Sequence, residues 1–92
     1  MENIGHYLDQ MRSASPLVHN ITNFVAMNSM ANVLLSAGAS PAMVHSLEEV
    51  EDFAAISNAL TVNIGTLEPA WLEAMCKAAK QMNSQSKPWV FD

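Results

Sequence analysis

Four places in this sequence hold residues that could do chemistry together: His19-Asn20, Met43-Val44-His45, Asn63-Ile64-Gly65 and Asp92. Each stands where a short apolar run ends. If those runs are strands of a parallel sheet, their ends meet at one edge, which is where the sites of such folds gather. The set would then offer amides, a thioether, a glycine backbone and a single carboxylate. That suits a small neutral or heteroaromatic ligand.

The stretch around the first two places supports this. From Pro16 to Val44 the chain reads PLVHNITNFVAMNSMANVLLSAGASPAMV, and no Asp, Glu, Lys or Arg falls between Arg12 and Glu48. Asparagine nevertheless recurs at 20, 23, 28 and 32, with histidine at 19. Buried polar groups need partners, so this pattern predicts a buried helix and strand ends lining a pocket for an uncharged ligand. Taken singly, each residue also has a plainer role. Met43 can fill a core gap, and Asn23 can cap a helix. His19 and His45 lie 26 positions apart without metal-ligand spacing, which favours hydrogen-bonded structural roles. Asp92 could hold Mg²⁺ near phosphates, though a lone carboxylate is a weak sign. Cys76 sits among packing residues with no base beside it, and reads as structural. The common phosphate-loop, dinucleotide, nucleophile-elbow and C-x-x-C signatures are absent.

The elements that must position these residues follow from periodicity. Ile4, Tyr7, Leu8 and Met11 predict a helix over 4–13, stopped at Ser15-Pro16. Leu17-Val18-His19 reads as a short strand. Thr22 or Asn23 then caps a helix that runs to about Ala37 and stops at Gly38. Phe24, Met27, Ala31, Leu34 and Leu35 fall on one side of it and Asn28 and Asn32 on another; with no charge on either, sheet and neighbouring structure should cover it. Ala42-Met43-Val44 is a second strand, and Ser46 with Glu49 forms a capping box for a third helix. Ala59 to Gly65 reads as a buried central strand, with Gly65-Thr66 a ligand turn. Pro69 opens a helix over Ala70 to Met82, with Lys77 and Lys80 outward, and Pro88 to Asp92 begins a fourth strand. The alternation specifies an α/β fold with a mostly parallel sheet, right-handed crossovers and helices on its faces.

The totals narrow the function. A chain of 92 residues is one domain at most. Its formal charge of -5 with four basic residues argues against nucleic acid and anionic membrane as partners. One cysteine excludes an internal disulfide and a Cys-rich zinc site, and the reducing cytoplasm is the expected compartment. No secretory signal opens the chain, and no apolar run approaches the ~18 residues of a membrane span. The Asn20-Ile21-Thr22 sequon is therefore read as chance. Because the chain stops on a buried-type strand, it is expected to be the N-terminal part of a longer protein.

In PLVHNITNFVAMNSMANVLLSAGASPAMVHSLEEVEDF, LTVNIGTL and WVFD, collinear from about Ser15 to Asp92, the chain resembles hydroxyethylthiazole kinases, ribokinase-like enzymes of thiamine salvage. The separated blocks HNITN, ANxLLxxGASPxM, EEV and NIGTL carry the likeness. It implies a three-layer α/β/α ribokinase-like domain of which residues 1–92 form the N-terminal part. The activity implied is ATP-dependent phosphorylation of the hydroxyl of 4-methyl-5-(2-hydroxyethyl)thiazole, with Mg²⁺, in a homotrimer whose active sites lie between subunits. By position, Met43 matches a substrate-contacting methionine and Asn23 an asparagine at the thiazole pocket. Val25 matches the pocket wall less closely, and Asp92 matches the aspartate near metal and phosphates.

The chain also departs from the family pattern. The family's ATP contacts, glycine-rich anion hole and catalytic cysteine follow the segment that Asp92 opens, and Cys76 does not match that cysteine. Backbone N–H groups of an anion hole stabilise charge on the transferred phosphoryl group. Residues 1–92 are therefore expected to supply the acceptor side and to be inactive alone, the alternative being a non-catalytic binding or assembly module.

Overall fold

The computed structural model describes residues 3–65 and 68–91, the side chain of Phe24 excepted. Helices and strands alternate as α1 (Ile4–Ala14), β1 (Leu17–Ile21), α2 (Phe24–Ala37), β2 (Ser40–Met43), α3 (Val50–Ile56), β3 (Ala59–Val62), α4 (Pro69–Ser84) and β4 (Trp89–Phe91). Local chemistry sets most of the boundaries. Asn3 accepts the His6 N–H at 3.2 Å to start α1. Asn23 does the same for Ala26 at 2.8 Å to start α2, and Pro69 occupies the first turn of α4. Helix α2 ends at Gly38, whose φ of 105° is costly for a side chain, and a Cβ there would meet Arg12 Cγ of α1 at 2.5 Å.

Several boundaries differ from the sequence reading, among them β2, which spans Ser40–Met43 where a strand over 42–44 is expected. Strand β1 runs on to Ile21, which puts Asn20 inside the sheet rather than at its end. Strand β3 stops at Val62, three residues before Gly65, although the Asn63 N–H still reaches the Ile21 carbonyl at 2.9 Å. The Ser46–Glu49 capping box does not form: the Ser46 carbonyl accepts the N–H groups of Glu49 and Val50 in a turn, and α3 begins only at Val50.

All paired strands are parallel, in the order β2-β1-β3-β4. The chain leaves β1 outward to β2, then crosses back to β3 and on to β4. With right-handed crossovers this reversal puts α2 on one face and α3 with α4 on the other, giving three layers. It also makes the C-terminal ends of β1 and β3 the switch point of the sheet, where a ligand crevice is expected.

The core lies on the α3/α4 side. Ile21, Leu60 and Val62 of the sheet pack there against Val50 and Ala54 of α3 and Ala74, Met75, Ala78 and Met82 of α4. Period-2 alternation of Leu60 and Val62 directs both to this face. The other face is thinner. Helix α2 packs chiefly on β2 and α1, while Val33 and Leu35 are 65% and 59% exposed. Asn28 and Asn32 are exposed as well. The expectation of a covered α2 therefore fails among the described residues. Absence of charge permits burial, but burial also needs an element outside the helix, and none of the described ones stands there.

Candidate functional site

The switch point is built from three strand ends and held by side chains of the residues that follow them. After β1, Asn23 caps α2 through its Oδ1, and its Nδ2 donates to Asn63 Oδ1 at 3.3 Å. After β3, the same Asn63 oxygen accepts the Gly65 N–H at 2.8 Å, the local turn that asparagine makes with the amide two residues on. The Gly65 backbone comes so close that a Cβ would lie 2.6 Å from Asn23 Nδ2 and 3.0 Å from Asn63 Oδ1. A side chain at residue 65 would push the Asn23 amide out of this position.

After β2, His45 reaches the peptide groups of Thr22. Its Nε2 lies 3.2 Å from the Thr22 nitrogen and 3.1 Å from the Thr22 oxygen. One ring nitrogen serves one of these at a time, accepting the N–H when unprotonated or donating to the carbonyl when protonated. The ring stacks on Trp71 of α4, with centroids 4.4 Å apart. Behind it, the fully buried His19 donates from Nε2 to the Val44 carbonyl at 2.8 Å and meets Phe53 edge-on at 5.1 Å. Burial pushes the pKa of His19 down, the Val44 hydrogen bond opposes this, and the charge of His45 adds a smaller downward push. With Nε2 carrying its proton, His19 is neutral and its Nδ1 is buried without a partner among the described residues, as is Thr22 Oγ1.

The four asparagines of the charge-free stretch thus separate. Asn20 spends its amide within the sheet, donating to the carbonyls of Val18 at 2.9 Å and Ala42 at 3.3 Å and accepting from Thr61 Oγ1 at 2.5 Å. It joins β2, β1 and β3 and is not turned to a ligand. Asn28 and Asn32 lie on the exposed side of α2. Asn23 alone of the four stands at the sheet edge, half-buried. Met43 is half-buried at the end of β2, in register with Asn20. Val25, in the first turn of α2, is 90% exposed. Thr66 and Asp92 lie outside the described residues. Cys76 is exposed on α4, where it helps line an apolar cleft with Val62 and Ile64 at the end of β3, Leu72 of α4 and Phe91 of β4.

Among the described residues no group of three or more His, Cys, Asp or Glu could hold a metal ion. Protein-bound Mg²⁺ is held chiefly through carboxylates, and the described strand ends offer amides and imidazoles instead. These residues therefore do not fit that ion by themselves. What sequence reasoning missed was the role of Asn63 as a partner of Asn23. The spacing Asn63-x-Gly65 carried that signal, since an Asx turn with a glycine at its third position marks a tight approach.

Residues 8–92 match the profile of the Hydroxyethylthiazole kinase family. The chain belongs to that family. It is 60% identical over 92 residues to a hydroxyethylthiazole kinase of Cereibacter sphaeroides (strain ATCC 17025 / ATH 2.4.3), covering all of this chain and 35% of the relative. It is 61% identical over 88 residues to one of Rhizobium rhizogenes (strain K84 / ATCC BAA-868), covering 96% of this chain and 33% of that one. The solved structure of a hydroxyethylthiazole kinase protein from Pyrococcus horikoshii OT3 superposes with a TM-score of 0.91 at 48% identity, over 95% of this chain and 34% of its own. The chain thus spans about a third of the length of these hydroxyethylthiazole kinases. Its parallel α/β architecture is the one shared with the Pyrococcus protein. No described helix is long and apolar enough to cross a membrane.

Proposed function

We propose that residues 1–92 form the acceptor side of a single ribokinase-like kinase domain that transfers phosphate from ATP to the hydroxyl of 4-methyl-5-(2-hydroxyethyl)thiazole. Asn23 and Met43 contact the thiazole, and Val25 closes the pocket wall. Asp92 serves the Mg²⁺ that accompanies ATP, and the working enzyme is a cytoplasmic homotrimer. The observation that carries this reading is the placement of Asn23. Its amide sits at the topological switch point with one Oδ1 lone pair and one Nδ2–H already used. That leaves one acceptor and one donor site for a ligand. A neutral alcohol on a heteroaromatic ring needs such a pair and no charge.

Phosphoryl transfer is largely positioning and electrostatic stabilisation of the moving group. The described strand ends position an acceptor and supply no anion hole, so residues 1–92 alone bind the thiazole without turning it over. A second reading, a binding or assembly module, draws on the exposed Val33 and Leu35 of α2. Calorimetry with the thiazole and no ATP, followed by a search for the phosphate ester with ATP and Mg²⁺ present, tests both. Saturable binding that Asn23→Ala abolishes is expected. A folded chain that takes up no thiazole overturns the acceptor-side reading, and turnover at a full enzyme's rate overturns the inactivity of these residues alone.

A further inference from the structure

We infer that Asn63 is a positioning residue that sets which face of the Asn23 amide meets the acceptor, with Gly65 providing the room. This rests on the reading that Asn23 contacts the thiazole. An asparagine amide turned by half a revolution exchanges a donor for an acceptor in nearly the same place, so an unheld amide recognises a ligand poorly. Asn23 is held at both ends. The Ala26 N–H at 2.8 Å claims its oxygen, which turns Nδ2 toward Asn63 Oδ1 at 3.3 Å. Asn63 is held in turn, because the Gly65 N–H at 2.8 Å requires an oxygen to face it. If the Asn63 amide were reversed, its NH₂ would confront two donors, the Gly65 N–H and Asn23 Nδ2. Asn63 therefore works here only as an acceptor.

Gly65 completes the arrangement. Any Cβ at that position would fall 2.6 Å from Asn23 Nδ2 and displace the amide. Asn23 follows β1 and Asn63 follows β3, two paired parallel strands. The orientation of the ligand-facing amide is thus tied to the register of the sheet at its switch point.

The geometry makes substitutions at residue 63 separable. Asn63→Asp keeps the acceptor oxygen while replacing the NH₂ by a second, charged oxygen, whereas Asn63→Leu keeps the size and removes the acceptor. Thiazole affinity by calorimetry and the ¹⁵N–¹H resonances of the Asn23 side-chain amide are measured for the parent chain and for both variants. In Asn63→Leu the Asn23 resonances should move to the values of a free amide and affinity should fall about tenfold, the loss of one oriented hydrogen bond. Asn63→Asp should keep the bonded resonances and bind within about threefold of the parent. Gly65→Ala should reproduce Asn63→Leu by displacing Asn23, and it carries the test if Asn63→Leu does not fold.

Unmoved Asn23 resonances in Asn63→Leu, or equal losses in the Leu and Asp variants, overturn the positioning role. A parent chain that ignores the thiazole defeats the acceptor-side reading instead. The Asn23 resonances then still decide, without ligand, whether Asn63 holds that amide.

Discussion

On one face of the sheet, α3 and α4 bury Val50, Ala54, Ala74, Ala78 and Met82 completely, whereas on the other α2 leaves Val33 and Leu35 more than half exposed and α1 buries no residue. Both faces are built from helices rich in alanine and methionine. The difference lies in what surrounds each helix: α3 and α4 cover one another, while among the described residues α2 packs chiefly on β2 and α1. Stability should therefore reside on the α3/α4 face. The surface available to other structure lies on the α2 face. The residues proposed to meet the thiazole stand at the seam, where β1 passes into α2 and β3 ends.

The sharpest test of that contrast is a pair of truncations. Met82→Ala should destabilise the fold by about 2–5 kcal/mol, as removal of a fully buried side chain does. Leu35→Ala should stay within about 0.5 kcal/mol. Urea denaturation measures both, and similar losses would break the contrast. Gly38→Ala comes next, with a cost of about 1–3 kcal/mol, because it strains a left-handed residue and drives a methyl group into Arg12. Since Gly38 joins α2 to α1, a negligible cost would mean that this pair hardly contributes to stability.

The third test is acid. His19 is neutral in the fold and its pKa is lowered by burial. Unfolded histidine takes up a proton below about pH 6.5. The unfolded state thus binds more protons there, so stability is full above that value and declines as pH falls below it, by at most about 1.4 kcal/mol per pH unit. Denaturation at pH 7.5 and 5.5 should show this loss, and His19→Gln should reduce it. The smallest effect is expected at the seam. Asn23→Ala removes a helix cap worth about 1 kcal/mol, yet it should abolish thiazole binding. A large stability loss there would mark Asn23 as part of the core rather than of the site.

Much of this could be read from residue order. The cap at Asn23, the stop at Gly38 and the proline opening α4 appear where short-range chemistry puts them. The alternation of elements implied a parallel sheet. Where the reading failed, a competing partner took the group concerned. Ser46 and Glu49 have the spacing of a capping box, but the Ser46 carbonyl takes the Glu49 N–H, and that of Val50, in a turn. Four asparagines in an uncharged stretch looked equivalent in sequence. One is consumed by the neighbouring strands, two face outward, and one reaches the edge.

By itself, then, the sequence determined the kinds of elements, their order and the family, because helix periodicity, capping and strand composition act over a few residues and family motifs are collinear. Only the tertiary structure decided the order β2-β1-β3-β4 and, through it, which amides meet. Asn23 and Asn63 are 40 residues apart, and their contact exists because β1 and β3 pair in one register. The Asn63-x-Gly65 spacing marks a tight turn, but residue order does not show which strand that turn will face.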